Sequence, residues 1–203
     1  VTFKTSLTFV PFVGSEHKGV HELSFKVGDF VLVRGETGVG KTTLLKSIGG
    51  LQAFRFEVIA DNINVYNSDS WRPSIALVSQ SPFLYGHNLS EMIIGKESSE
   101  EIDLNLYAES LRISCLETWG EGRIGDLTNE NVSGGERKQI ALARAVYSQP
   151  EILLLDEITA GMDQKLAEQI ISNLRICAHF KLIVLASHDL LREENFDQVI
   201  DLK

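Results

Sequence analysis

Residues 35 to 42 read GETGVGKT, a complete GxxxxGK[ST] pattern, and what flanks it narrows the fold more than any other feature of the chain. Phe30 to Val33, just upstream, is apolar at every position, as in a strand buried on both faces of a sheet. Thr43 to Ile48, just downstream, reads as a helix. A strand, a glycine-rich loop and a helix in that order aim successive main-chain N–H groups at one anion near the positive end of the helix. Gly35, Gly38 and Gly40 allow conformations and close approaches that a Cβ would block, and Thr37, Val39 and Thr43 complete the phosphate-facing positions. Lys41 supplies a point charge for β and γ phosphates, and the Thr42 hydroxyl suits Mg²⁺. The plainer reading, a glycine-rich turn with an exposed lysine, leaves the strand and helix around the motif unexplained.

A second apolar strand, Ile152 to Leu155, ends in Asp156 and Glu157. The end of a parallel strand delivers carboxylates to the ligand-binding edge of the sheet. Asp156 is the candidate magnesium partner, directly or through water. Glu157 is the candidate base for an attacking water, a role worth roughly 10²–10⁴-fold. A solvated strand end is the alternative for the pair.

Ile75 to Val78 and Leu182 to Ala186 are further strand candidates, with helices expected before the strands at 152 and 182. This alternation predicts an α/β domain on a mostly parallel sheet. Leu23 to Phe25 and Phe30 to Val33 flank Gly28 and Asp29 and read as paired strands, part of an N-terminal antiparallel β subdomain. Between Gln80 and Ser133 the apolar strand runs disappear. Ser98 and Glu101 form a capping-box pattern, and Leu104, Tyr107, Ala108 and Leu111 fall on one helical face, so a helical insertion is expected. The acidic run Glu97 to Asp103 is either a partner surface or a solvated helix start. One domain over residues 1–203 follows, with 1–80 and 133–203 forming the core and about 81–132 the helical part.

Twenty-eight acidic against 19 basic residues, a formal charge of −9, argue against a general grip on nucleic acid. No apolar run approaches the roughly 20 residues of a membrane-spanning helix. Cys115 and Cys177 lie in no CxxC or Cys/His cluster, which favours free thiols in a reducing compartment. No signal peptide is visible, and a start at Val1 reads as a segment of something longer.

Residues 132 to 136, VSGGE, followed by RKQIALARA, resemble the signature motif of the ATP-binding cassette (ABC) ATPases, usually LSGGQ. The phosphate loop, Gln80, the signature, ILLLDE at 152–157, AGMD at 160–163 and SH at 187–188 follow in that family's order. The resemblance implies a P-loop NTPase core that binds ATP and Mg²⁺ and works as a head-to-tail dimer with a second nucleotide-binding domain. Ser133, Gly134 and Gly135 would then touch ATP held by the partner, since a serine and bare glycine N–H groups at a helix start suit a phosphate. It also implies that His188 contacts the γ-phosphate and helps hold the attacking water, and that Gln80 touches Mg²⁺ or that water. Asp163 would couple the two sites, and its plainer reading is a helix N-cap that can hold as well.

SPFLYGHNLSEMI after Gln80 looks like the exporter branch. Phe83, Leu84 and Tyr85 are there either contacts for transmembrane domains or part of the insertion's own core. Departures from the family pattern are Pro11 where an adenine-stacking tyrosine is expected, with Phe12 or Phe9 as substitutes, then Val132, Glu136, Ile158, Gly161 and Met162. A carboxylate at Glu136 would weaken ATP binding unless Arg137 or Lys138 screens it. The expected function is transport-coupled ATP hydrolysis, as an exporter motor domain on the cytoplasmic side of a membrane, peripheral or within a membrane protein. A soluble assembly-type ABC ATPase and a nucleotide-gated module with weak turnover are the alternatives.

Overall fold

The computed structural model describes residues 4–11, 22–51, 56–61, 63–64, 75–95, 102–119, 131–189 and 191–202. The chain divides into two compact units, Val1–Leu77 with Pro150–Glu157 and Ala178–Lys203, and Val78–Gln149 with Ile158–Cys177.

The first unit carries two sheets. Strands β1 (Ser6–Pro11), β2 (Leu23–Lys26), β4 (Phe56–Ala60) and β5 (Ile63–Asn64) form an antiparallel sheet in the order β2-β1-β4-β5. Strands β3 (Asp29–Arg34), β6 (Ile75–Val78), β7 (Ile152–Asp156), β8 (Leu182–Ser187) and β9 (Gln198–Asp201) form the second, ordered β6-β7-β8-β3-β9. In it β7 pairs with β8, and β3 with both β8 and β9, all in parallel.

The expected pairing of the two strands around Gly28 does not occur, because β2 pairs with β1 and β3 with β8 and β9. Their side-chain patterns give the reason. β2 alternates buried and exposed residues, which suits a sheet with one wet face, whereas Phe30 to Val33 are all buried and need cover on both faces. Gly28, at φ +91°, turns the chain from one sheet to the other, and its N–H donates to Lys181 O at 2.7 Å. Leu7, Phe9 and Phe25 of the antiparallel sheet share one core with Val31, Val33, Leu154 and Val184 and with helix α1 (Lys41–Ile48) through Leu44, Leu45 and Ile48. Each such aliphatic side chain contributes about 1.5–3 kcal/mol on burial.

The second unit holds helices α2 (Leu89–Ile94), α3 (Leu104–Ile113), α4 (Gly134–Tyr147) and α5 (Gln164–Arg175). Side-chain caps start all four: Asn88, Asp103, Ser133 and Asp163 each accept main-chain N–H bonds. α4 packs on α2 and α3, and α3 also meets α5. The Ser98 and Glu101 pattern lies outside the described residues.

The inner face of α3 is not the expected one. Ser110 and Ile113 are buried, whereas Leu104 is 73% exposed and Ala108 is exposed too. Ser110 Oγ donates to Tyr107 O at 2.7 Å, so its hydroxyl is satisfied within the helix and can be buried cheaply. A reading of apolar spacing alone passes over such a serine.

Candidate functional site

The sequence-predicted residues fall into two groups, one in each unit. In the first, the buried run of β3 ends at Arg34, whose guanidinium bonds Asp201 at 2.7 and 3.2 Å and Glu193 at 2.6 Å. The root of the phosphate loop is therefore tied to β9. A Cβ at Gly35 would lie 2.8 Å from Leu202 O and from Val39 Cγ1, so only glycine passes between them. Gly40, at φ +110°, is the N-cap of α1, and its carbonyl accepts Leu44 N at 2.9 Å. A cavity of about 810 Å³ opens along the loop, lined by Arg34, Glu36, Thr37, Gly38 and His188.

Lys41 is only 6% exposed. Its ammonium donates to Gly35 O at 2.8 Å and Glu36 O at 3.2 Å and lies 3.1 Å from Glu157 Oε1. The other Glu157 oxygen meets His188 Nδ1 at 2.6 Å and the His188 main-chain N–H at 3.3 Å. Glu157 sits just past β7 at φ +53°, with its own N–H held by Ala186 O at 2.9 Å. A left-handed non-glycine residue is strained, so this placement is enforced by its surroundings.

Thr42 Oγ1 donates to Asp156 Oδ1 at 3.1 Å. Burial pushes the Asp156 carboxyl up from its ordinary value, partly offset by the Thr42 bond. These two oxygens beside a helix start suit a hard cation that keeps waters and phosphate oxygens as its remaining ligands. Among the described residues no group of three His, Cys, Asp or Glu is placed to hold a metal ion.

In the second unit, Gln80, Ser133, Gly134, Gly135 and Asp163 line one cleft of about 700 Å³. Ser133 and Glu136 form a full capping box, with Glu136 N donating to Ser133 Oγ at 3.3 Å and Ser133 N to Glu136 Oε2 at 2.8 Å. Trp119 Nε1 donates to the other Glu136 oxygen at 3.2 Å. The carboxylate at position 136 is thus a helix cap, favoured by the dipole at the start of α4. Arg137 Nε and Lys138 Nζ donate to the carbonyls of Val132 and Ala160. Asp163 caps α5 by accepting from Lys165 and Leu166 N–H.

The Phe83 to Tyr85 segment splits. Leu84 is buried, while Phe83 and Tyr85 are 59% and 72% exposed, with their rings packed edge to face at 4.6 Å. Phe12 lies outside the described residues. Phe9 is no substitute for it as an adenine contact, being fully buried against Phe25 in the core. Reasoning from the sequence did not find the Trp119 to Glu136 bond or the Lys138 to Ala160 bond, since neither spacing carries a local signal.

A phosphate loop with an aligned acidic strand end, and a capped SGG helix in the other unit, define a nucleotide-binding domain of the cassette type. The ABC transporter family matches residues 20–160, and the chain belongs to that family. The beta-(1-->2)glucan export ATP-binding/permease protein NdvA of Rhizobium etli is 34% identical over 175 residues, 80% of this chain and 30% of that protein. The Toxin RTX-III translocation ATP-binding protein of Actinobacillus pleuropneumoniae is 30% identical over 189 residues, 88% of this chain and 26% of that protein. The chain therefore spans about a third or less of these two relatives. A bacterial Atm1-family ABC exporter, solved with ATP bound, shares the fold at a TM-score of 0.79 and 23% identity, over 100% of this chain and 38% of that one.

Proposed function

We propose that this chain is the ATP-hydrolysing motor domain of a membrane exporter, acting as a head-to-tail pair with a second domain of its kind. The observation that carries this reading is the Glu157 carboxylate, gripped by Lys41 on one oxygen and His188 on the other at the end of a phosphate loop. Lys41 and the loop amides bind the β and γ phosphates. Glu157 takes the proton of a water whose oxygen attacks the γ-phosphorus, and ADP leaves. His188 orients that water through its bond to Glu157. Thr42 and Asp156 would hold Mg²⁺ beside the nucleotide, where it would neutralise charge on the phosphates.

Ser133, Gly134 and Gly135 bind the γ-phosphate of ATP on the partner domain, and Asp163 joins the two sites. Support comes from the position of these residues in one cleft at the start of α4. ATP then drives closure through contacts it makes better in the paired state. The exposed Phe83 and Tyr85 rings are the contact for transmembrane domains at the cytoplasmic side of the membrane, and they favour this reading over a soluble cassette. No helix among the described residues is long and apolar enough to cross a membrane.

Magnesium-dependent hydrolysis measured against protein concentration tests the proposal. Turnover per chain is expected to rise as pairs form. A flat specific activity across the dilution series, or no hydrolysis, would count against it.

A further inference from the structure

Three consecutive side chains in the first half of α4 reach main-chain carbonyls in three different segments. Arg137 Nε donates to Val132 O at 3.2 Å, Lys138 Nζ to Ala160 O at 2.7 Å, and Gln139 Nε2 to Ser114 O at 2.9 Å and Cys115 O at 3.2 Å. Lys138 differs from the other two in being a primary ammonium at 8% exposure. Taking such a group out of water is costly, whereas methionine would fill the same space without a charge. Packing alone does not account for a lysine here.

What Lys138 holds is the turn that leads into α5. Met162 N donates to Thr159 O at 3.0 Å, Gly161 adopts φ +77°, and Asp163 leaves the turn as the helix cap. The same turn borders the SGG segment, since a Cβ on Gly135 would stand 3.9 Å from Met162 Cγ. Lys138, Gly135, Met162 and Asp163 all line the one cleft.

We infer that Lys138 is a positioning residue of the ATPase cycle. Its ammonium locks the Ala160–Asp163 turn to the signature helix, so that capture of a phosphate by Ser133–Gly135 and the placement of Asp163 become one event. The inference rests on the function proposed above.

Lys138→Met and Lys138→Arg in this chain test it by two readouts. Hydrogen–deuterium exchange over residues 158–166 should quicken in Lys138→Met and stay near wild type in Lys138→Arg. The kcat of Lys138→Met should fall on the order of tenfold to a hundredfold with little change in the KM for ATP, and arginine should restore most of it. Where Lys138→Met melts well below wild type, Lys138→Gln takes its place. Unchanged exchange, a kcat within about twofold of wild type, or a loss that arginine does not rescue each overturns the inference. A wild-type chain that never hydrolyses ATP, with exchange still quickened by Lys138→Met, would refute the proposed function and leave the tie itself standing.

Discussion

Glu157 is 6% exposed, lies at φ +53° and meets two cationic or proton-bearing neighbours, so its carboxylate is held in one orientation. Replacing it with glutamine keeps the shape and removes the base. Glu157→Gln is expected to lower kcat by roughly 10²–10⁴-fold while a fluorescent ATP analogue still binds, as single-turnover and titration measurements would reveal. Asp61 is a different kind of held carboxylate. It accepts from Thr5 Oγ1 at 2.7 Å and from the N–H groups of Lys4, Thr5 and Ser6, which tie the start of β1 to the end of β4. The Thr5 hydroxyl first, then those N–H groups, hold its pKa far below the ordinary carboxylate range. With the folded value depressed, the stabilisation is complete above the unfolded pKa of about 3.9 and is lost as pH falls towards the folded value. Asp61→Asn should therefore melt below wild type at pH 7, and the gap should narrow only in strong acid. Equal melting temperatures at pH 7 would show the bonds to be idle.

At the scale of elements, helix starts carry both stability and chemistry, and the two can be separated. Asp103 caps α3 by accepting from Asn105 and Leu106 N–H at 3.0 Å each, with no part in either candidate site. Asp103→Ala is expected to cost about 1 kcal/mol in urea unfolding and to leave nucleotide affinity unchanged. Ser133 and Asp163 are caps of the same design placed where a ligand or partner is proposed, so their structural and functional readings hold together. The start of α4 also shows why glutamate replaces the family's glutamine. A carboxylate closes the capping box, takes the Trp119 indole and complements the helix dipole. The strand elements sorted by pattern in the same way, since alternation suits β2 to a one-sided sheet and an unbroken apolar run suits β3 to an interior place in the other.

At the scale of the molecule, the phosphate loop belongs to one compact unit and the SGG helix to the other, and the proposed reaction needs the SGG segment of a second chain. Glu157→Gln, with turnover suppressed, should collect as a dimer on size-exclusion chromatography in ATP and Mg²⁺ and return to monomer on chelation. A monomer under both conditions would contradict ATP-driven pairing. Much of this was legible in the sequence alone. The phosphate loop, the acidic strand end and the SGG segment each depend on residues within a few positions of one another, and local geometry follows from local sequence. Tertiary structure alone decided that α3 turns Ser110 inward and Leu104 outward, and that Phe9 is core. It alone paired Lys41 with Glu157 and Lys138 with Ala160. Each of those outcomes is a competition among contacts between residues distant in the chain, settled by which arrangement buries apolar surface while leaving few enclosed polar groups without a partner.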